Sequence, residues 1–587
     1  MRAMKFILPF CLWALAACGV PSDEAAAPAN DEATLDFADD GAMPAADLVF
    51  WGGSIHTAND NQPTVQAVAV QGGRIVFAGP QAGARIWIGP QTRTIDLNGG
   101  AMYPGFTDSH VHVLGVGARE RTLNLDDVTS IADLQARIAA AAAELDPGSV
   151  LFGRGWIETH WPEGRFPNRH DLDVVAPDHV VILTRADGHA SVANTLALQQ
   201  AGIGLDSVAP DGGEILREAD GEPDGMLIDA AQGAVRALVE QPTGDVRADI
   251  YAQGAQVMAS RGWTGAHDMS VPYQDVEMIE GLAEAGRLPI RDYISINPDG
   301  YAWLATQTPR IAANGRVITR AVKMYMDGAL GSRGAALLEP YSDRPESSGL
   351  LFPEGDEMLG VMTEALRSGV QINVHAIGDR GNRVLLDWVE EALAAVPPEE
   401  RALPEHRWRD EHSQIINPDD IPRFAELGVI ASMQPSHAIG DLYFAPARLG
   451  EVRLEGAYAW QSLLDAGAHI TGGTDAPVEQ GDPRIEFYAA TARAALDGFQ
   501  GDDWHPEEAL SREDALKLFT AWPAYASFRE DELGTIQEGR IADLTIFSAD
   551  IMTIPEADIL TVEPWMTVVD GEVAFEAPDA FHQSDEG

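Results

Sequence analysis

Residues Gly105–Gly115 read GFTDSHVHVLG, directly after an apolar approach, LNGGAMYPGF, that has the composition of a protein interior. His110 and His112 stand one residue apart. On an extended chain they project to the same side, roughly 7 Å from each other. Two imidazoles at the end of a buried run can converge on one atom, and neutral imidazole is a common zinc ligand. An H-x-H pair among 15 histidines is also what a strand end facing solvent can show by chance. The decision therefore rests on whether the rest of the chain supplies more ligands.

Working outward, the stretch closes the first of eight strand-like segments: MYPGFTDSH, WTGAHD, LPIRDYISI, AVKMYMD, QINVHA, HRWRDEH, VIASM and AHITGGTD. Amphipathic segments such as DVEMIEGLAEAGR and RVLLDWVEEALAAV lie between them. This alternation predicts an α/β protein, a (β/α)8 TIM-like barrel over residues 104–533. One long break, at about 114–247, reads as an insertion after the first barrel strand, with its own helices and a strand-like VVILTRADGHAS; we expect it over the barrel mouth. Alternating runs with Gly-Gly turns occupy 47–103 and return only at 534–577. They predict one small composite β-sandwich domain built from both ends of the mature chain. Residues 578–587 read as a tail.

In such a barrel the reacting groups come from the C-terminal ends of the strands. Here those ends are polar. Strand one ends in His110 and His112, strand four carries Lys323, strand five ends at His375 in NVHAIGD, strand six at His412 in DEHSQ, and strand eight at Asp475 in GGTDAP. Five strands thus offer six candidate metal ligands. His267 ends strand two without an assigned role, and His56, His179, His406 and His469 read as structural or solvated.

The order PGFTDSHVH, a strand-borne lysine, VHAIGD, EHSQ and GTDAP resembles the amidohydrolase superfamily. The likeness is greatest to its family 3 branch, which includes N-substituted formamide deformylase-like proteins. It runs from about Asp47 to Glu576, and MDGALGSRGA (Met326–Ala335), MQPSHAIGD (Met433–Asp441) and GTIQEGRIADLTIF fit the same branch. The resemblance implies one or two divalent metal ions, zinc being the expectation. His110, His112 and Asp475 would hold one ion and His375 and His412 a second. Lys323, carboxylated by carbon dioxide, would bridge the two. The residues themselves leave another reading open, in which Lys323 is an ammonium paired with Asp327 and a single ion is bound.

From the same resemblance His189 in RADGHAS is a candidate substrate contact reaching over from the insertion. Trp156, with His160 and Trp161 in GRGWIETHW, is a candidate aromatic wall, and Arg333 and His437 are candidates to orient a carbonyl or carboxylate. The implied reaction is hydrolysis of a non-peptide carbon–nitrogen bond in a small amide or formamide. Metal-activated water is the nucleophile, and Asp475, the catalytic residue, is general acid and base. Attack on a carboxylic or cyclic ester by the same site is the alternative enzyme, and a non-catalytic ligand-binding envelope lipoprotein is the alternative without chemistry.

The chain of 587 residues carries 39 basic and 91 acidic side chains, a formal net charge of −52. Such a surface repels nucleic acid, which we exclude as a partner. Residues 1–17 have a basic start, an apolar core and small residues before Cys18, the layout of a leader. LAAC resembles a bacterial lipobox, which predicts a lipoprotein signal peptide, lipid on Cys18 and an acidic flexible tether over 18–46. The expected location is the bacterial cell envelope, lipid-anchored or periplasmic, with secretion as the alternative. The only membrane contact is then the lipid anchor, and a homodimer is compatible with the chain. No phosphate loop, dinucleotide motif, serine nucleophile elbow or C-x-x-C pair is present.

Overall fold

The computed structural model describes residues 45–581 apart from 127, 159–160, 187, 189, 211–212, 240–241, 353–354 and 502–503. The leader and nearly all of the tether, together with His160 and His189, lie outside the described residues. No described helix is long and apolar enough to cross a membrane.

Eight parallel strands form the barrel: β1 (Phe106–Val111), β2 (Trp263–Val271), β3 (Arg291–Ile296), β4 (Val317–Tyr325), β5 (Gln371–Ala376), β6 (Arg409–His412), β7 (Ile430–Met433) and β8 (Ile470–Gly472). Each pairs with its sequence neighbour from β1 through to β8. Side-chain and backbone hydrogen bonds bridge the remaining gap between β8 and β1. Ser109 Oγ lies 2.6 Å from Thr471 Oγ1, the Asp475 N–H donates to His110 O at 2.6 Å, and Asp108 accepts from the backbone and hydroxyl of Thr474 at 2.9 and 2.6 Å. The loop carrying Asp475 is thereby tied to the strand carrying His110. Gly473 permits this, because a Cβ there would meet His110 N at 2.3 Å.

The helices cover the barrel for the reason their periodicity gives. In Asp379–Ala395 the buried Leu385, Leu386, Val389 and Ala392 recur every three or four residues, so one stripe packs inward while the opposite face keeps its charges. Gly262 ends the helix Gly244–Arg261 in the left-handed conformation, at φ 108°, and turns the chain directly into β2.

Strands from the two ends of the chain join in one eight-stranded sheet. Ala101–Pro104 pairs antiparallel with Leu544–Phe547, and Leu48, Phe50, Val68, Leu544, Ile546 and Met566 share a core. The predicted segment MYPGFTDSH therefore spans two sheets. Met102–Pro104 belongs to the terminal sheet and Phe106 begins the barrel. Gly105 is the joint, where an added Cβ would lie 2.2 Å from Thr264 Oγ1. Between β1 and the helix at Gly244, residues 123–229 build a separate six-stranded sheet with its own core. VVILTRADGHAS contributes two antiparallel strands to it, Val180–Arg185 and Ala190–Ala193.

Candidate metal centre and active site

Four histidines meet at the C-terminal mouth of the barrel. His110 and His412 have ring centroids 4.6 Å apart, His375 and His412 4.5 Å, and His110 and His112 5.7 Å. Ligand atoms of His110, His412 and Asp475 all lie within 4.8 Å of one another. This tightest trio takes members from both of the ion sites implied by the resemblance, so the ligands form one continuous cluster. His412 and Asp475 both have positive φ, 80° and 57°. Non-glycine residues rarely adopt that conformation, and the strain turns both side chains into the mouth.

Three of the four rings are held from behind. His110 Nδ1 is 2.6 Å from Glu411 Oε2, His112 Nδ1 donates to Met269 O at 3.0 Å, and His412 Nδ1 donates to Gln434 Oε1 at 2.7 Å. With Nδ1 occupied, the Nε2 lone pairs face the cluster. His112 Nε2 lies 3.1 Å and His110 Nε2 3.6 Å from Asp475 Oδ1. In these tautomers both ring nitrogens are acceptors against a carboxylate, an arrangement that calls for a shared cation. The buried His375 Nε2, without a hydrogen-bond partner among the described residues, adds another open ligand atom. The residues fit a divalent metal.

Electrostatics agree. Burial, with Lys323 nearby, lowers His110 to about 4 despite its bond to Glu411, and burial and Lys323 lower His375 to about 3. Burial would raise Asp475, but its interactions with the surrounding imidazoles, His112 first and then His110 and His412, hold it well below the carboxylate range. Asp475 in turn outweighs burial and pushes His112 up, while burial holds His110, His375 and His412 neutral, so three neutral imidazoles stand by an ionised carboxylate, as a cation requires.

Lys323 is buried, with Nζ 3.3 Å from His110 Nε2, and burial lowers it to about 8. It does not pair with Asp327. That carboxylate instead accepts the backbone N–H groups of Ala336, Ile377 and Gly378 at 2.8, 2.9 and 2.8 Å and approaches His375 Nε2 at 3.7 Å. The reason is that β4 ends at Tyr325, so Asp327 lies beyond the strand whose alternation suggested a common face with Lys323.

Among the candidate substrate contacts, His437 is at the site, its Nε2 3.8 Å from Asp475 Oδ2. Trp156 is not a wall of it. The ring is fully buried in the insertion's core beside Trp161, and its N–H donates to Leu183 O at 3.1 Å. Arg333 is bound to Asp343 at 3.1 and 2.8 Å and, among the described residues, makes no hydrogen bond or ion pair with the cluster. Its guanidinium is committed to holding a loop.

The sequence reading passed over the support beneath the cluster. Arg409, wholly buried, meets Glu411 Oε1 at 2.7 Å, Ser432 Oγ at 2.7 Å and His267 Nδ1 at 2.9 Å, and also bonds Ser109 O. A guanidinium only donates, so His267 accepts through Nδ1 and is neutral, and burial together with Arg409 holds its pKa far down. The available signal was the run RDEH, three charged residues and a histidine in a strand whose neighbours are apolar.

A barrel with this histidine–carboxylate mouth defines a metal-dependent hydrolase. The chain belongs to the amidohydrolase family, whose profile matches residues 93–575. It is 31% identical to amidohydrolase YtcJ of Bacillus subtilis (strain 168), over 90% of this chain and 99% of that protein. It is 26% identical to the N-substituted formamide deformylase of Arthrobacter pascens, over 90% and 98%. A metal-dependent hydrolase from Pyrococcus horikoshii OT3 superposes with a TM-score of 0.71 at 25% identity, covering 87% of this chain and 99% of its own.

Proposed function

We propose that this protein hydrolyses a non-peptide carbon–nitrogen bond of the amide or formamide type in a small molecule. The observation that carries the reading is the convergence of imidazoles from two strand ends, His110 and His112 of β1 and His412 of β6, on the one carboxylate of Asp475. His110, His112, His375, His412 and Asp475 would hold the metal, with zinc the expected ion. Lys323, as a carbamate formed by its neutral amine and carbon dioxide with loss of a proton, would add an anionic ligand between two ions. A divalent cation there supplies a polarised carbonyl and water acidified to near neutrality. Asp475 takes the proton of the attacking water and returns it to the departing amine. His437 accepts at Nδ1 from Gln414 Nε2 at 3.0 Å, which places its proton on Nε2. Among the described residues that N–H makes no hydrogen bond, and it is available to the substrate's carbonyl oxygen.

The relative named a formamide deformylase favours the amide reading over an ester. The test is a screen of N-formyl and N-acyl amines, with matched esters, against protein loaded with zinc and its bound metal counted. Amine release that tracks metal content is the expected result; esters alone turning over would replace the reading. Carbon-13 carbon dioxide should give a carbamate signal that Lys323→Met removes. We also assign the chain to the cell envelope through lipid on Cys18, to be checked by mass spectrometry of the mature N-terminus and of Cys18→Ser.

A further inference from the structure

Next to the metal cluster lies a cavity of about 340 Å³ between the helix Pro435–Asp441 and the loop after Asp475. It adjoins the reacting centre through one imidazole. His437 Nε2 is 3.8 Å from Asp475 Oδ2 on one side and 3.7 Å from Glu479 Oε1 on the other, and Glu479 lines the cavity. A substrate whose carbonyl sits at Asp475 can therefore place an arm of a few bonds in this space.

The lining is one-sided in charge. Glu479, Glu486 and Asp497 face the cavity together with apolar Ile439 and aromatic Tyr443, and no basic side chain lines it among the described residues. The basic groups that act on Glu479 are His437 and, from the insertion, Arg154. Glu486 is 1% exposed, and its Oε2 accepts the Ser436 N–H at 3.0 Å. The Ser436 hydroxyl lies beside the same carboxylate, and both residues line the cavity. The Ser436 backbone and hydroxyl are the hydrogen-bond partners of this carboxyl, and the charges acting on it, those of Glu479 and Asp108, are both acidic, so a buried acid here gains from a cation. Burial pushes both Glu479 and Glu486 above the ordinary carboxylate range.

We propose that this cavity is the recognition subsite for a cationic arm of the substrate, an ammonium or amidinium group attached to an apolar chain. Glu479 and Glu486 take the charge, while Ile439 and Tyr443 pack the chain, the phenol ring also offering its face to the cation. The inference rests on the hydrolase reading only in calling the occupant part of a substrate.

Calorimetry on the metal-loaded protein at pH 7 tests it, with n-hexylammonium and its neutral isostere 1-hexanol as probes. The ammonium is expected to bind at least tenfold more tightly. Glu479→Gln and Glu486→Gln should each shrink that ratio severalfold. The exposed Glu399→Gln alters net charge equally and should leave the ratio unchanged, which separates the subsite from general attraction to an acidic surface. Thermal unfolding of each variant reports that it is folded. Equal affinity for the two probes, no binding of either, or a ratio that ignores Glu479 and Glu486 overturns the subsite. Failure of every short N-acyl amine to turn over would overturn the hydrolase reading instead, and the probe ratios would still decide the subsite.

Discussion

His110 Nδ1 and Glu411 Oε2 lie 2.6 Å apart in the barrel interior, both side chains essentially without solvent. Glu411 in turn meets Arg409, whose charge and His110 outweigh burial and hold the glutamate well below its usual range. An ionised acceptor fixes the proton on His110 Nδ1 and increases the electron density at Nε2. A cluster member at the mouth is thus oriented by an ion pair one layer deeper.

Glu411→Gln keeps the shape but removes the charge. Metal affinity, read by competition with a chelator, should fall about 10- to 100-fold. Glu411→Ala is the less informative variant, because it strands the Arg409 guanidinium in the core at a cost of about 3–5 kcal/mol. Undiminished affinity in the glutamine variant would show that Glu411 does not support the ligand.

Asp475→Asn should lower kcat on any amide substrate by about 10²- to 10⁴-fold, the usual worth of a general acid–base group. Four imidazoles remain, so much of the bound metal should stay when measured by elemental analysis. Turnover close to wild type would refute the assigned proton transfer.

Asp108 joins both ends of the barrel, accepting from Thr474 N at 2.9 Å, Thr474 Oγ1 at 2.6 Å and His110 N at 3.1 Å. Asp108→Ala leaves buried donors unsatisfied, each costing about 1–3 kcal/mol. The melting temperature should drop by several degrees and metal affinity should fall with it, since His110 and Asp475 hang on this joint. Loss of neither would mean that water or a rearranged loop replaces the carboxylate.

His406 provides a pH test away from the site. Its Nε2–H donates to Leu427 O at 2.8 Å, while Nδ1 accepts the Trp408 N–H at 2.9 Å, so only the neutral ring satisfies both. Burial lowers it to about 4. The folded pKa lies below the unfolded value near 6.5, so this contribution is complete above that value and declines as pH falls toward 4. The melting-temperature gap between wild type and His406→Asn should narrow over that window. A constant gap would contradict the neutral-ring assignment.

Some features were legible because they are local. Strand alternation and strand-end chemistry are properties of short segments, so all eight barrel strands, and the placing of His110, His112, His375, His412 and Asp475 at their ends, could be read from periodicity and motif order. Lys323 stood out as a charge in an apolar strand. Trp156 misled for the opposite reason, since a tryptophan in a polar loop phrase looks the same whether its ring fills a core or walls a site.

By itself, then, the amino-acid order determined which side chains reach the mouth of the barrel, since β/α repetition and alternation along a strand dictate where each residue emerges. Only the tertiary structure decided what stands behind and beside them. Glu411 holds His110 across 301 positions, Asp108 grips Thr474 across 366, and Glu479 joins Glu486 in a cavity next to His437. Those partnerships depend on barrel closure and on the burial of charge, energies that arise between strands and have no signature in any one of them.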